Sequence, residues 1–223
     1  MDKLSEYVFG KMMKYSKEDS IKVFVCGGAS TVSEDFYKDA YGVGKILADL
    51  DVAYLQGGLS DRQTMMGESY HGYVDNGGDK AYFISRKFGT EDILKDFDHL
   101  KGVFEVDDIG MLIKAQYMWS DIVVIMPGGT GTLIEMLGYI EQKYDYPNNQ
   151  PIIILYNKKV DENGFFDDIF NQINKSRQLG FVSSPIIENN FIIVSDFNEL
   201  NTVLSSQIAD KKKIKKIGRK KEK

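Results

Sequence analysis

Short apolar runs rich in β-branched and aromatic residues recur along the chain, separated by amphipathic stretches. The runs IKVFVC at 21–26, VAYLQ at 52–56, KAYFI at 80–84, DIVVIM at 121–126, PIIILY at 151–156 and FIIV at 191–194 read as strands. They are almost continuously apolar rather than alternating, which fits strands covered on both faces, as in a parallel sheet between helix layers. Over 34–50, Phe36, Ala40, Val43, Ile46, Leu47 and Leu50 recur at helical spacing, with Ser33 placed to cap the helix. Further helical patterns lie near 62–75, 109–119, 132–144, 165–178 and 196–208. Strands alternating with helices imply right-handed βαβ crossovers and a doubly wound, Rossmann-like α/β sheet with helices on both faces. No internal repeat or Pro/Ser-rich linker divides it, so a single domain over 1–210 is expected.

Composition changes the picture at one end. The chain has 223 residues, 28 basic and 33 acidic. Residues 211–223 hold nine of the basic residues and one acid, so this segment carries +8 and the body −13. The segment reads as a solvated, disordered basic tail. The acidic body argues against a nucleic-acid-binding surface. A single cysteine, Cys26, excludes an internal disulfide framework and a multi-cysteine metal site. The two histidines, His71 and His99, do not make a metal centre, and no apolar run reaches the ~18 residues that span a membrane. The N-terminus lacks the apolar core of a signal peptide, so a cytoplasmic setting without membrane contact is expected.

Candidate chemistry concentrates where strands turn into helices, since ligands of open α/β sheets bind beyond the carboxyl ends of the strands. The sharpest signal is MPGGTGTLIE, Met126 to Glu135. Pro127 ends a strand, and Gly128, Gly129 and Gly131 permit positive φ angles and close approach of a ligand. Backbone N–H groups at the helix start then face outward beside the positive end of the helix dipole, a site for phosphate. Thr130 and Thr132 add hydroxyl donors. Glu135, one turn in, is either a dipole-pairing carboxylate or a group that stabilises developing positive charge or orients water. Two more turns resemble ligand loops: CGGAS, with Gly27, Gly28 and Ser30, and Gly57–Gly58 followed by Gly67. Neither the dinucleotide fingerprint nor the P-loop is present. Cys26 reads as buried rather than nucleophilic. Met65 and Met66 read as core, and Tyr117 and Trp119 as packing at a helix end.

PGGTGTLIE matches the pattern PGGxGTxxE and resembles the family first described as lysine decarboxylases, which includes the LOG-type cytokinin riboside 5′-monophosphate phosphoribohydrolases. The likeness extends over about 20–208: VFVCGGAS, YLQGG with MMG, Asn76-Gly77-Gly78, Gly164-Phe165-Phe166 and Gly180-Phe181-Val182 all have counterparts. It implies a Rossmann-like fold, a homodimer or larger homo-oligomer with the site near the dimer interface, and no metal or redox cofactor. It implies hydrolysis of the N-glycosidic bond of a purine-type nucleoside 5′-monophosphate, such as AMP or an N6-substituted AMP, to free base and ribose 5-phosphate. Gly128 to Thr132 would hold the phosphate and Glu135 would assist an oxocarbenium-like transition state. No pyridoxal-lysine context supports decarboxylation.

One departure bears on activity. The family's Arg-Lys pair falls at Leu112 and Ile113, with Lys114 one position beyond. Of four arginines (Arg62, Arg86, Arg177 and Arg219), Arg62 is the first substitute and Arg86 the second; Glu91 matches a family acidic contact. Losing a positioned guanidinium costs orders of magnitude in rate. The chain is therefore read either as a phosphoribohydrolase using Glu135 with Arg62 or Lys114, or as a nucleotide-binding sensor or carrier that has lost catalysis. A structural protein docking through its tail is the weakest reading.

Overall fold

A computed structural model describes residues 20–30, 33–59, 61–86, 100–146, 150–181 and 190–221. Glu91 and His99 lie outside these residues, as does the N-terminal segment before Ser20. The elements in chain order are β1 (Lys22–Cys26), α1 (Glu34–Asp49), β2 (Ala53–Gln56), α2 (Met65–Asp75), β3 (Ala81–Arg86), β4 (Leu100–Val106), α3 (Ile109–Trp119) and β5 (Ile122–Ile125). Then come α4 (Thr130–Asp145), β6 (Ile152–Tyr156), β7 (Lys159–Val160), β8 (Asn163–Gly164), α5 (Asp167–Gln178), β9 (Ile192–Val194) and α6 (Phe197–Lys221).

Seven strands form one parallel sheet in the order β4-β3-β2-β1-β5-β6-β9, and β7 and β8 make a separate short hairpin. Alternation along β1 divides the core. Phe24 and Cys26 face a layer built on α3, α4 and α5, while Val23 and Val25 face α1, α2 and α6. This two-sided burial is why the strands read as unbroken apolar runs. The order reverses between β1 and β5, and Cys26 pairs with Ile125 in register. The turns after these two strands therefore open side by side at the switch point, where such sheets bind ligands.

Besides the short β7–β8 hairpin, the fold adds one strand to the main sheet that periodicity missed. β4 is an edge strand whose Lys101 and Glu105 are exposed, so it lacks the apolar run that marks its neighbours. It still pairs with β3 along its whole length. The expectation of a disordered tail also gives way. α6 continues through 211–221, because lysine is a good helix former and two of the lysines find acceptors on the body. Lys212 Nζ donates to the Leu50 carbonyl at the C-terminus of α1, 2.6 Å away. Lys215 Nζ reaches Asp121 Oδ2 at 2.8 Å and the Ser20 carbonyl at 3.2 Å.

Candidate active site

β5 is wholly buried and delivers Met126 and Pro127 to the switch point. Two backbone bonds stitch its turn to the β1 turn: Met126 N to Cys26 O and Gly28 N to Pro127 O, each 2.9 Å. The contact is close enough to require glycine at one position. A Cβ on Gly128 would lie 2.1 Å from Thr132 Oγ1 and 2.8 Å from Gly28 N. Gly129 and Gly131 have open space instead, and none of the three takes a positive φ. Their value is therefore bareness rather than unusual backbone geometry. Gly129 is the N-cap of α4 and has no side chain to cap it. The first N–H groups of α4 open toward a cavity of about 750 Å³ lined by Gly128 to Thr132. An anion seated there meets free donors and the helix dipole.

Glu135 lines the same cavity one turn further along α4. Gln116 Nε2, from α3, donates to Glu135 Oε1 at 2.9 Å, and Tyr139 OH donates to Gln116 Oε1 at 2.8 Å. Burial pushes the Glu135 carboxyl up to about 7, against the opposing pull of the Gln116 hydrogen bond and of the neighbouring Cys26 thiol. Burial, and then the neighbouring Glu135, raise the Cys26 thiol, so this cysteine is buried as expected and kept neutral. Gln116 is fully buried. Sequence reasoning missed it, although a polar residue on the buried face of an otherwise apolar helix was the available signal.

The other turns contribute unequally. Gly27, Gly28 and Ser30 line the cavity, as does Gly57. Gly58 is not among the lining residues; its φ of +93° is what requires glycine. The buried Gln56 holds that turn by accepting from Gly58 N at 2.9 Å and Leu59 N at 3.0 Å. Gly67 also stays out of the cavity. A Cβ there would lie 2.0 Å from the Asp61 carbonyl, so it serves the packing of α2 against its entry loop. Both methionines line the cavity, Met65 as a buried core residue and Met66 partly exposed.

The expected cations are displaced. Arg62 Nη2 pairs with Asp75 at 3.2 Å on the surface, away from the cavity lining. Lys114 lies over the Tyr146 ring, 5.1 Å from its centroid, also outside the lining. On α3 Leu112 faces the cavity and Ile113 packs at Gly138, while Lys114, one residue further, is turned about 100° round the helix from Ile113. Arg86, the second substitute, does line the cavity, and it is the one basic side chain among the described residues that does. His71 lies edge-on to Tyr70, and Trp119 packs on Tyr82.

A family model described as "Possible lysine decarboxylase" matches residues 59–204. A search of curated proteins finds no match to the sequence. Among solved structures, the molybdenum cofactor binding protein from the phototrophic bacterium Rippkaea orientalis is 17% identical, with a TM-score of 0.58, covering 85% of this chain and 98% of that one. The molybdenum cofactor carrier protein of Chlamydomonas reinhardtii is 15% identical, with a TM-score of 0.55, covering 85% and 99%. DNA processing protein A from Helicobacter pylori, described with a single-stranded DNA binding mode, is 10% identical, with a TM-score of 0.53, covering 86% and 82%. At these identities the likeness is one of fold.

Proposed function

From the premise that this chain belongs to the family described as possible lysine decarboxylases, we propose that it is a carrier or sensor module that binds a nucleoside 5′-monophosphate or a similarly phosphorylated, nucleotide-like cofactor without turning it over. The observation that carries this reading is the pairing of an open α4 N-terminus with Leu112. The loop offers bare donors to a phosphate. Leu112 lines the cavity where the family resemblance places a guanidinium. A phosphate would thus be held by backbone N–H groups, while the departing base and developing sugar charge would meet an apolar wall. The molybdenum cofactor carriers of like fold support a carrier role and put that cofactor among the ligands to try.

Hydrolysis is the second reading, and Glu135 favours it. Its carboxyl, pushed up to about 7, is poised to exchange a proton at neutral pH beside the phosphate loop. Arg86 would then be the cation nearest to hand. The exposed Ile134 and Leu137 on α4 support the homodimer that the resemblance implies. The cytoplasmic setting is part of this proposal; no helix among the described residues is long and apolar enough to cross a membrane.

Calorimetry with AMP, run beside a chromatographic assay for free adenine, tests both readings. Saturable AMP binding with no adenine released is the expected result. Adenine release that Glu135→Gln abolishes would replace the carrier reading with the hydrolase. Absence of both binding and release across nucleoside monophosphates and the molybdenum cofactor would remove the proposal.

A further inference from the structure

One wall of the cavity is used neither by the phosphate loop nor by Glu135. Phe36, in the first turn of α1, and Phe165, just before α5, both line it. Phe165 is 40% exposed. It is nonetheless held in place. Its ring stands edge-on to the buried Phe166, centroids 4.9 Å apart. Phe166 N donates to Asn157 Oδ1 at 2.7 Å, and Asn157 Nδ2 donates to Asp167 Oδ1 at 2.7 Å. The segment before α5 is thereby anchored to the end of β6 with Phe165 facing the opening.

Lys158 joins the two rings. Its carbonyl accepts from Phe165 N at 3.0 Å, and its Nζ lies 4.9 Å from the centroid of Phe36. That ammonium is already answered by Asp39, which also accepts from Tyr156 OH at 2.7 Å. The wall is therefore aromatic and electrically balanced, with no spare positive charge for a second phosphate. The opposite end of the cavity differs: it holds Ser85 and Arg86, at the end of β3. β6 neighbours β5 directly, whereas β3 stands three strands away from β5. At the usual strand spacing β6 lies roughly 5 Å from β5 and β3 roughly 14 Å, so the two ends of the cavity are set against different strands.

We propose that Phe36 and Phe165 form the subsite for a planar heteroaromatic ring belonging to the same phosphorylated ligand. This rests on the phosphate-binding reading above and adds the orientation: phosphate on the β5 turn, ring toward β6. Exposed aromatic faces gain from stacking on any flat heterocycle, whatever its hydrogen-bonding pattern, so the subsite selects ring-bearing phosphates over bare sugar phosphates.

The experiment compares AMP with ribose 5-phosphate by calorimetry on the full chain and on its Phe165→Leu, Phe36→Leu and Arg86→Ala variants. The expected result is that the unaltered chain prefers AMP by about tenfold or more. Each leucine variant should lose most of that preference while keeping its ribose 5-phosphate affinity, which also reports that it is folded. An unchanged AMP preference in both leucine variants overturns the subsite, as does its loss in Arg86→Ala alone, which would put the ring at the β3 end. Equal binding of the two ligands by the unaltered chain overturns the ring subsite and leaves phosphate binding standing. Binding of neither overturns the ring subsite together with AMP as the ligand of the phosphate turn.

Discussion

The Gln116 amide donates to Glu135 Oε1 at 2.9 Å, and its own oxygen is occupied by Tyr139 OH at 2.8 Å. Because Tyr139 donates to that oxygen, the amide can present only its NH₂ side to Glu135. A half-buried carboxyl thus receives a donor of fixed orientation, supplied by the helix whose Leu112 faces the same cavity. Gln116→Leu removes the donor and also leaves Tyr139 OH without this acceptor. We expect a loss of about 1–3 kcal/mol in urea unfolding. The Glu135 carboxyl should rise further above about 7, which a pH titration of ligand affinity would register.

The pH dependence of stability has a definite sign at Glu135. Its native carboxyl titrates near 7 against an ordinary value of 4.5, so the folded state holds the proton more tightly than the unfolded one. The contribution is fully present below about 4.5, and it is lost as pH rises through about 7. Its size is at most about 3 kcal/mol. Glu135→Gln should flatten this part of the stability–pH curve, as measured by denaturant midpoints between pH 4.5 and 8. A bound phosphate favours the neutral carboxyl by like-charge repulsion. AMP affinity should therefore fall as pH rises past 7 in the unaltered chain and stay level in Glu135→Gln.

Leu112→Arg tests what the apolar wall withholds. The side chain lines the cavity near the start of α3, so a guanidinium there can reach a ligand without crossing the core. We expect AMP to bind about tenfold more tightly, in line with one added charge-assisted hydrogen bond. Adenine release appearing only in this variant would show that loss of the arginine is what separates carrier from hydrolase. Unchanged affinity would mean that the ligand does not extend toward α3.

Glycine positions in the phosphate turn should not be equivalent. Gly128→Ala forces a Cβ to within 2.1 Å of Thr132 Oγ1 and 2.8 Å of Gly28 N. The Gly28 backbone cannot step aside without breaking its bond to Pro127 O. We expect about 1–3 kcal/mol of destabilisation, measured by thermal unfolding, together with loss of AMP binding. Gly129→Ala meets nothing within 4 Å and takes no positive φ. Its stability should stay within about 0.5 kcal/mol of the unaltered chain.

Much of this was legible in the chain itself, for identifiable reasons. Strands buried on both faces leave apolar runs that periodicity detects, and PGGTGTLIE marks the switch-point turn because a bare helix start needs glycine. What stayed hidden depended on contacts between distant segments. Arg62 sits in a glycine-rich turn, but Asp75, at the far end of α2, draws it to the surface. Gly67 looked like a ligand-loop glycine, yet it is small because the Asp61 carbonyl needs the space. Phe36 read as one more core position of α1, and only the approach of the Phe165 segment shows that it also faces the cavity. The pairing of Gln116 with Glu135 spans 19 positions in sequence, beyond any local pattern.

The basic helix end should behave as part of the body. Lys215 is half-buried between Asp121 and the Ser20 carbonyl, and Asp121 in turn accepts from Lys22 N at 2.9 Å. The lysine thus ties α6 to the starts of β1 and β5, at the opposite end of the sheet from the cavity. Replacing it with alanine removes a partly exposed ion pair, and about 1 kcal/mol of stability should go with it. Truncation after Asp210 removes the contacts of both Lys212 and Lys215, so it should lower the unfolding midpoint further. Far-ultraviolet circular dichroism should also show a loss of helix in the truncated chain. AMP affinity should be unchanged, since none of these residues lines the cavity. Equal helix content before and after truncation would return 211–223 to the status of a solvated tail.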